Sequence, residues 1–110
     1  MIKKNKINSY LGFAAKSKNL VAGQGIVLDK IKHRKAKLVI IAEDVGDNTR
    51  KKIINKCNSN NIAVKNYGLC DQLSQMTGKS EKGVFAILDD NFAQVILREI
   101  DQIQSEREEF

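Results

Sequence analysis

The sequence predicts an α/β protein: a single-domain three-layer α/β/α sandwich on a four-stranded mixed sheet. Three observations predict it. Apolar residues recur at helical spacing in successive segments, short apolar runs of strand length alternate with them, and the breaks between are only a few residues long. With 110 residues the chain suits one domain, large enough to bury a real core.

The first helix is expected over residues 5–17, where Ile7, Leu11, Phe13, Ala14 and Ala15 form one apolar face. A short extended segment, 19–22, leads to a second helix opened by Gly23. Its residues Ile26, Val27 and Ile31, with Leu28 beside them, point inward, and Asp29, Lys30, Lys32 and His33 fall on the wetter side. The strand over 37–42 carries the continuous run Leu38, Val39, Ile40, Ile41, which reads as buried on both faces with helices covering each. Glu43, Asp44 and Asp47 then suit the N-terminus of a helix over 48–58, where carboxylates meet open amides, and Ile53, Ile54 and Cys57 form its core stripe. A strand over 62–66, a helix over 69–77 ending at Gly78, and a buried strand over 84–88 follow. The last helix starts near Asp90, with Phe92, Val95, Ile96, Ile100 and Ile103 at helical spacing. The domain is thus expected over 1–104, with a frayed charged tail over 105–110.

Charge narrows the class of partner. The net charge of +6 is uneven: up to Lys56 there are fourteen Lys/Arg against four Asp/Glu, and beyond it five against nine. Lys30, Lys32, Arg34, Lys35 and Lys37 gather at one helix end and its exit loop, a field that attracts polyanions. Residues 1–9 lack the apolar core of a secretory signal, and no apolar run is longer than 38–42, far too short to span a membrane. Two cysteines without a CxxC pair and a single histidine argue against structural zinc and for reduced thiols, hence for a cytoplasmic protein.

Catalytic and nucleotide motifs are only half present. Gly23-Gln24-Gly25 opens a helix as a dinucleotide fingerprint would, but the third glycine is replaced by Leu28. Gly78-Lys79-Ser80 ends like a phosphate-binding loop, yet Leu73 stands where its first glycine belongs and the triplet follows a helix instead of preceding one. Asp89 and Asp90 read as helix-capping residues. His33 has no evident carboxylate partner nearby in sequence, and no Ser-His-Asp or Cys-His set can be assembled, so neither an enzyme nor a cofactor is expected.

The order of elements, together with residues 23–33, the run Ala-Lys-Leu-Val-Ile-Ile-Ala-Glu-Asp over 36–44, Asn48-Thr49, Lys56-Cys57 and residues 73–84, resembles the ribosomal protein seven-Ae family of kink-turn RNA-binding proteins, most closely its small bacterial YlxQ-type branch. The resemblance covers nearly the whole chain. It implies an α/β/α sandwich that binds sharply bent RNA, with structured RNA, ribosomal RNA above all, as partner; neither DNA nor membrane is expected, and the free protein is expected to be a monomer.

The family's G-x-N-E-x-x-K motif survives here only as Gly23, because Gly25, Ile26 and Asp29 stand in place of Asn, Glu and Lys. Base-edge readout is therefore expected to be weakened, with backbone and phosphate contacts taking over. The expected RNA-binding residues are Gly23, Gln24, Gly25, Lys30, His33 and Arg34, with Lys79, Ser80 and Lys82 in the family's second RNA-facing loop over 78–83. The alternative is a protein-interaction module on the same fold that has lost specific RNA recognition, with the acidic last helix or its tail as docking surface.

Overall fold

Side chains alternate along the two central strands, and that alternation sets the layers. The computed structural model describes residues 2–108, with side chains for 6–105. Its elements are α1 (Ile2–Lys16), β1 (Leu20–Ala22), α2 (Gln24–Lys32), β2 (Leu38–Ile41), α3 (Asp47–Ser59), β3 (Ala63–Asn66), α4 (Cys70–Thr77), β4 (Val84–Ile87) and α5 (Asp90–Glu108). The sheet order is β1-β4-β2-β3, with β2 and β3 parallel and β4 antiparallel to both β1 and β2. Leu20, Ile87, Leu38 and Ala63 lie in one row across it.

Leu38, Ile40, Phe85 and Ile87 face one side, where they pack with Ile7, Leu11 and Ala14 of α1, Leu73 of α4, and Ile96 and Ile100 of α5. Val39, Ile41, Val84 and Ala86 face the other, against Val27 and Ile31 of α2 and Ile53 and Cys57 of α3. Both strands are therefore buried on two faces, as a continuous apolar run requires. Each such side chain contributes about 1.5–3 kcal/mol over leaving it in water. The helices α1 and α4 pack against each other at Gly12, where a methyl group would sit in ordinary contact 3.5 Å from the Met76 carbonyl oxygen.

Three sequence expectations change. Phe13 is 57% exposed, because the face that α1 buries runs Ile7, Leu11, Ala14 and Phe13 stands well round the helix from it. Ile26 is also exposed, at 43%: it lies in the first turn of α2, beyond the part of the helix that Val27 and Ile31 hold against the sheet. The acidic cluster splits. Asp47 sits in the first turn of α3, but Asp44 crosses to α4 and its Oδ1 accepts the Cys70 amide at 2.9 Å. That hydrogen bond holds the Asp44 carboxyl below the usual carboxylate range. Asp89 does cap α5, its Oδ2 accepting the Phe92 amide at 2.9 Å. The helix itself is described as far as Glu108, past the residue at which a tail is expected to begin.

Candidate functional site

All four strands end at one or other of two poles, and α2 connects the poles. Gly23 stands at the first. Its amide donates to Val84 O at 2.8 Å, which ends β1 beside the start of β4, while its carbonyl accepts the Val27 amide at 3.0 Å and starts α2. Both bonds demand a backbone at φ 116° and ψ 144°, a region essentially restricted to glycine. The Gly23 amide is thereby spent inside the fold, contrary to the expectation that it could meet phosphate. The amides of Gln24, Gly25 and Ile26 remain, because a helix leaves its first N–H groups unpaired and Gly23 has no side chain to cap them.

The loop over 78–83 closes on the same place. Gly78 ends α4 in the left-handed conformation at φ 72°, and the Lys79 amide returns to Ser74 O at 3.1 Å. Ser74 Oγ donates to Lys82 O at 3.2 Å and accepts from Lys82 N at 3.3 Å, which fixes the loop across α4. Gly83 then passes so close to its neighbours that a β-carbon there would lie 2.5 Å from Val45 Cγ2 and 2.8 Å from Cys70 Sγ. Lys82 is delivered to the start of α2, where a methyl group on Gly23 would sit 3.8 Å from its Cδ and its Nζ. Lys79 and Ser80 are exposed on the same loop. A helix N-terminus with open amides, a positive dipole end and an ammonium beside it binds anions. Gly25 adds no barrier: a β-carbon at that position would meet nothing within 4 Å.

Two further residues shape this pole, and the sequence reading missed both. Thr49 Oγ1 lies 3.5 Å from Gln24 Oε1, a long contact that ties α2 to α3 and leaves the Gln24 amide nitrogen to donate elsewhere. Arg50 folds back over the β2–α3 loop, its guanidinium donating to the carbonyls of Glu43 at 2.9 Å, Val45 at 3.0 Å and Ala42 at 3.3 Å, and also to Asn66 Oδ1. The available signal was an arginine one turn into the helix after a buried strand, with five donors and a loop of unpaired carbonyls within reach.

The remaining expected residues are elsewhere. Lys30, His33 and Arg34 belong to the last turn and exit of α2, a nine-residue helix about 13 Å long, and so stand at the second pole, remote from Gly23. His33 does have an acidic neighbour: its Nδ1 donates to Asp29 O at 2.9 Å and lies 3.3 Å from Asp29 Oδ1, one helical turn back. The i, i+4 spacing was the signal for it.

Neither cysteine is shifted toward its thiolate. Burial pushes the Cys57 thiol up to about 11, and partial burial, reinforced by Asp44, raises that of Cys70. Among the described residues no group of three or more His, Cys, Asp and Glu gathers to hold a metal ion, and no helix is long and apolar enough to cross a membrane.

The chain is 33% identical over 91 residues to the RNA-binding protein YlxQ of Bacillus subtilis (strain 168), covering 83% of this chain and 91% of that protein. It is 31% identical over 90 residues to the RNA-binding protein YlxQ of Enterococcus faecium, covering 82% and 86%. A solved structure of a protein with unknown function from Bacillus halodurans superposes with a TM-score of 0.85 at 34% identity, covering 87% of this chain and 97% of that one. The Giardia lamblia 15.5kD RNA binding protein, at 18% identity, shares the fold with a TM-score of 0.76 over 96% of this chain and 90% of its own. The family model described as Ribosomal protein L7Ae/L30e/S12e/Gadd45 matches residues 5–97, and the chain belongs to that family.

Proposed function

We propose that the protein is a non-enzymatic, cytoplasmic RNA-binding protein, ribosome-associated, that takes a kink-turn-like bent RNA at the Gly23 pole by phosphate contacts and shape. The observation that carries this reading is the approach of Lys82 to the glycine-opened start of α2. Amides of Gln24 and Gly25 accept close approach by a phosphate, and Lys82 supplies the charge that Asp29 does not. Ile26 offers an apolar surface where the family motif has a carboxylate, so purine edges lose a reader and the bend of the backbone becomes the recognised feature. The names of the two YlxQ relatives support RNA as the partner.

The test is titration with a short-armed kink-turn RNA and an unbent duplex over a salt series. The bent RNA is expected to bind at least about tenfold more tightly, a difference of 1.4 kcal/mol. Lys82→Ala is expected to lower the salt slope by roughly 0.7–0.9. Gly25→Val is expected to abolish the preference for bent RNA by obstructing backbone approach. Equal affinity for both RNAs, or a preference untouched by Gly25→Val, would overturn the reading.

A further inference from the structure

Three helices reach the second pole, and each ends there in the same turn. In α1 the Lys18 and Asn19 amides return to Ala15 O and Ala14 O, in α2 those of Arg34 and Lys35 return to Ile31 O and Lys30 O, and in α3 those of Asn61 and Ile62 return to Asn58 O and Cys57 O. This double closure places one residue per turn in the left-handed region, a position that usually belongs to glycine. Here the residues are Lys18, Arg34 and Asn61, at φ 64°, 59° and 57°. A side chain in that conformation costs free energy that glycine would avoid, so two cations at such positions point to a use for the side chains.

The turns stand in a row because β1, β2 and β3 all start at this pole. Leu88 N donates to Asn19 O at 2.7 Å and Lys37 N to Ile87 O at 2.7 Å, which lines up the Lys18 turn, the end of β4 and Lys37 along the sheet edge. Arg34, Lys37, Asn60 and Asn61 line a recess of about 220 Å³ between the ends of α2 and α3. Lys18, Lys32, Arg34, Lys35 and Lys37 are all exposed, and among the described residues none of them forms an ion pair. Asp29 is taken by His33 and Asp89 by the start of α5, which leaves Asp90 as an exposed carboxylate beside the row. Three helix C-termini contribute about −0.5 each, so five cations exceed what the dipoles would balance.

We propose that this pole is a second RNA contact, which grips the phosphate backbone of an ordinary duplex and lets one protein hold two RNA segments, one at each end of α2. It is separate from the Gly23 pole in position and in chemistry, and it requires no bend.

The experiment measures binding of a perfect RNA duplex and of short-armed kink-turn RNA to the full chain, to a triple variant carrying Arg34→Gly, Lys35→Ala and Lys37→Ala, and to Lys82→Ala. The triple variant is expected to bind duplex at least about tenfold more weakly, with a salt slope reduced by roughly 2–3 if each lost cation releases about 0.7–0.9 of a counterion. Lys82→Ala is expected to weaken the kink-turn RNA, which the Gly23 pole takes, by a larger factor than it weakens the duplex. The variant removes only exposed side chains, and its Arg34→Gly component is expected to raise the melting temperature, which separates lost binding from lost folding. Duplex affinity and slope unchanged in the triple variant would overturn the second contact while leaving the bent-RNA reading intact. Duplex binding lost in the triple variant, with no preference for bent RNA left in that same variant, would uphold the second contact and overturn the first.

Discussion

The two ends of α2 solve the same backbone problem with opposite residues. At the Gly23 pole the left-handed or otherwise forbidden positions are mostly glycines, Gly23, Gly68 and Gly78, with Glu81 the exception; at the Arg34 pole they are Lys18, Arg34 and Asn61. The glycine pole keeps side chains away from open amides, so a partner's backbone can come close. The other pole projects charge from positions where glycine would be easier to fold. The loops and helix starts of the Gly23 pole also carry the acidic residues Glu43, Asp44, Asp47, Asp71 and Glu81, so positive charge is less dominant there. One end is therefore shaped for contact and the other charged for it.

That contrast can be broken most severely at Gly83. Gly83→Val forces a β-carbon into Val45 and Cys70 and is expected to destabilise the fold by about 3 kcal/mol, measured by urea denaturation, because a packed loop under β4 has no room to relax. A wild-type midpoint would mean that the loop over 78–83 is not held as described.

Next in size is a pair of substitutions with opposite signs. Gly23→Ala is expected to destabilise by about 2 kcal/mol, since alanine does not tolerate φ 116° with ψ 144°. Arg34→Gly is expected to stabilise by about 0.5–1 kcal/mol, the relief of a left-handed side chain less the extra freedom of glycine in the unfolded chain. Equal signs in thermal denaturation would erase the distinction between the poles.

Gly25→Ala sharpens it further. The position is helical and open, so alanine is expected to stabilise α2 by about 0.5–1 kcal/mol while weakening bent RNA. Stability and binding moving together would show that Gly25 has no role in approach.

The smallest effect is expected at Asp44. Its carboxyl is held below the unfolded value of 3.8, so its contribution to stability is present above that value and is lost as pH falls through the lower folded one. Asp44→Asn is expected to flatten the acid limb of a pH–stability profile below about pH 4, within the range where an unperturbed carboxyl titrates. An unchanged limb would detach Asp44 from the start of α4.

Much of this was legible from local pattern. The runs at 38–41 and 84–87 are too apolar to be anything but doubly covered strands, and the alternation of helix and strand periods fixed the layers around them. Gly78 and Asp89 announced a helix end and a helix start through residue type alone. The inward assignments of Phe13 and Ile26 failed because periodicity alone fixes neither where around a helix the buried face is centred, as at Phe13, nor how far along the helix its partner layer extends, as at Ile26.

The candidate site divides in the same way. Sequence by itself determined the fold, the glycine-opened helix, the basic character of its exit and the loss of the family's polar readers at Gly25, Ile26 and Asp29, because each depends on residue identity and short spacing. Only the tertiary structure decided which of those features share a surface. It joined Lys82 to Gly23 across 59 positions of chain by folding one loop back over α4, and it parted Gly23 from Arg34 by the length of a single helix. Distance along the chain carries no such information: a sheet brings strand ends from remote segments to one edge, while a rigid helix holds its own two ends apart.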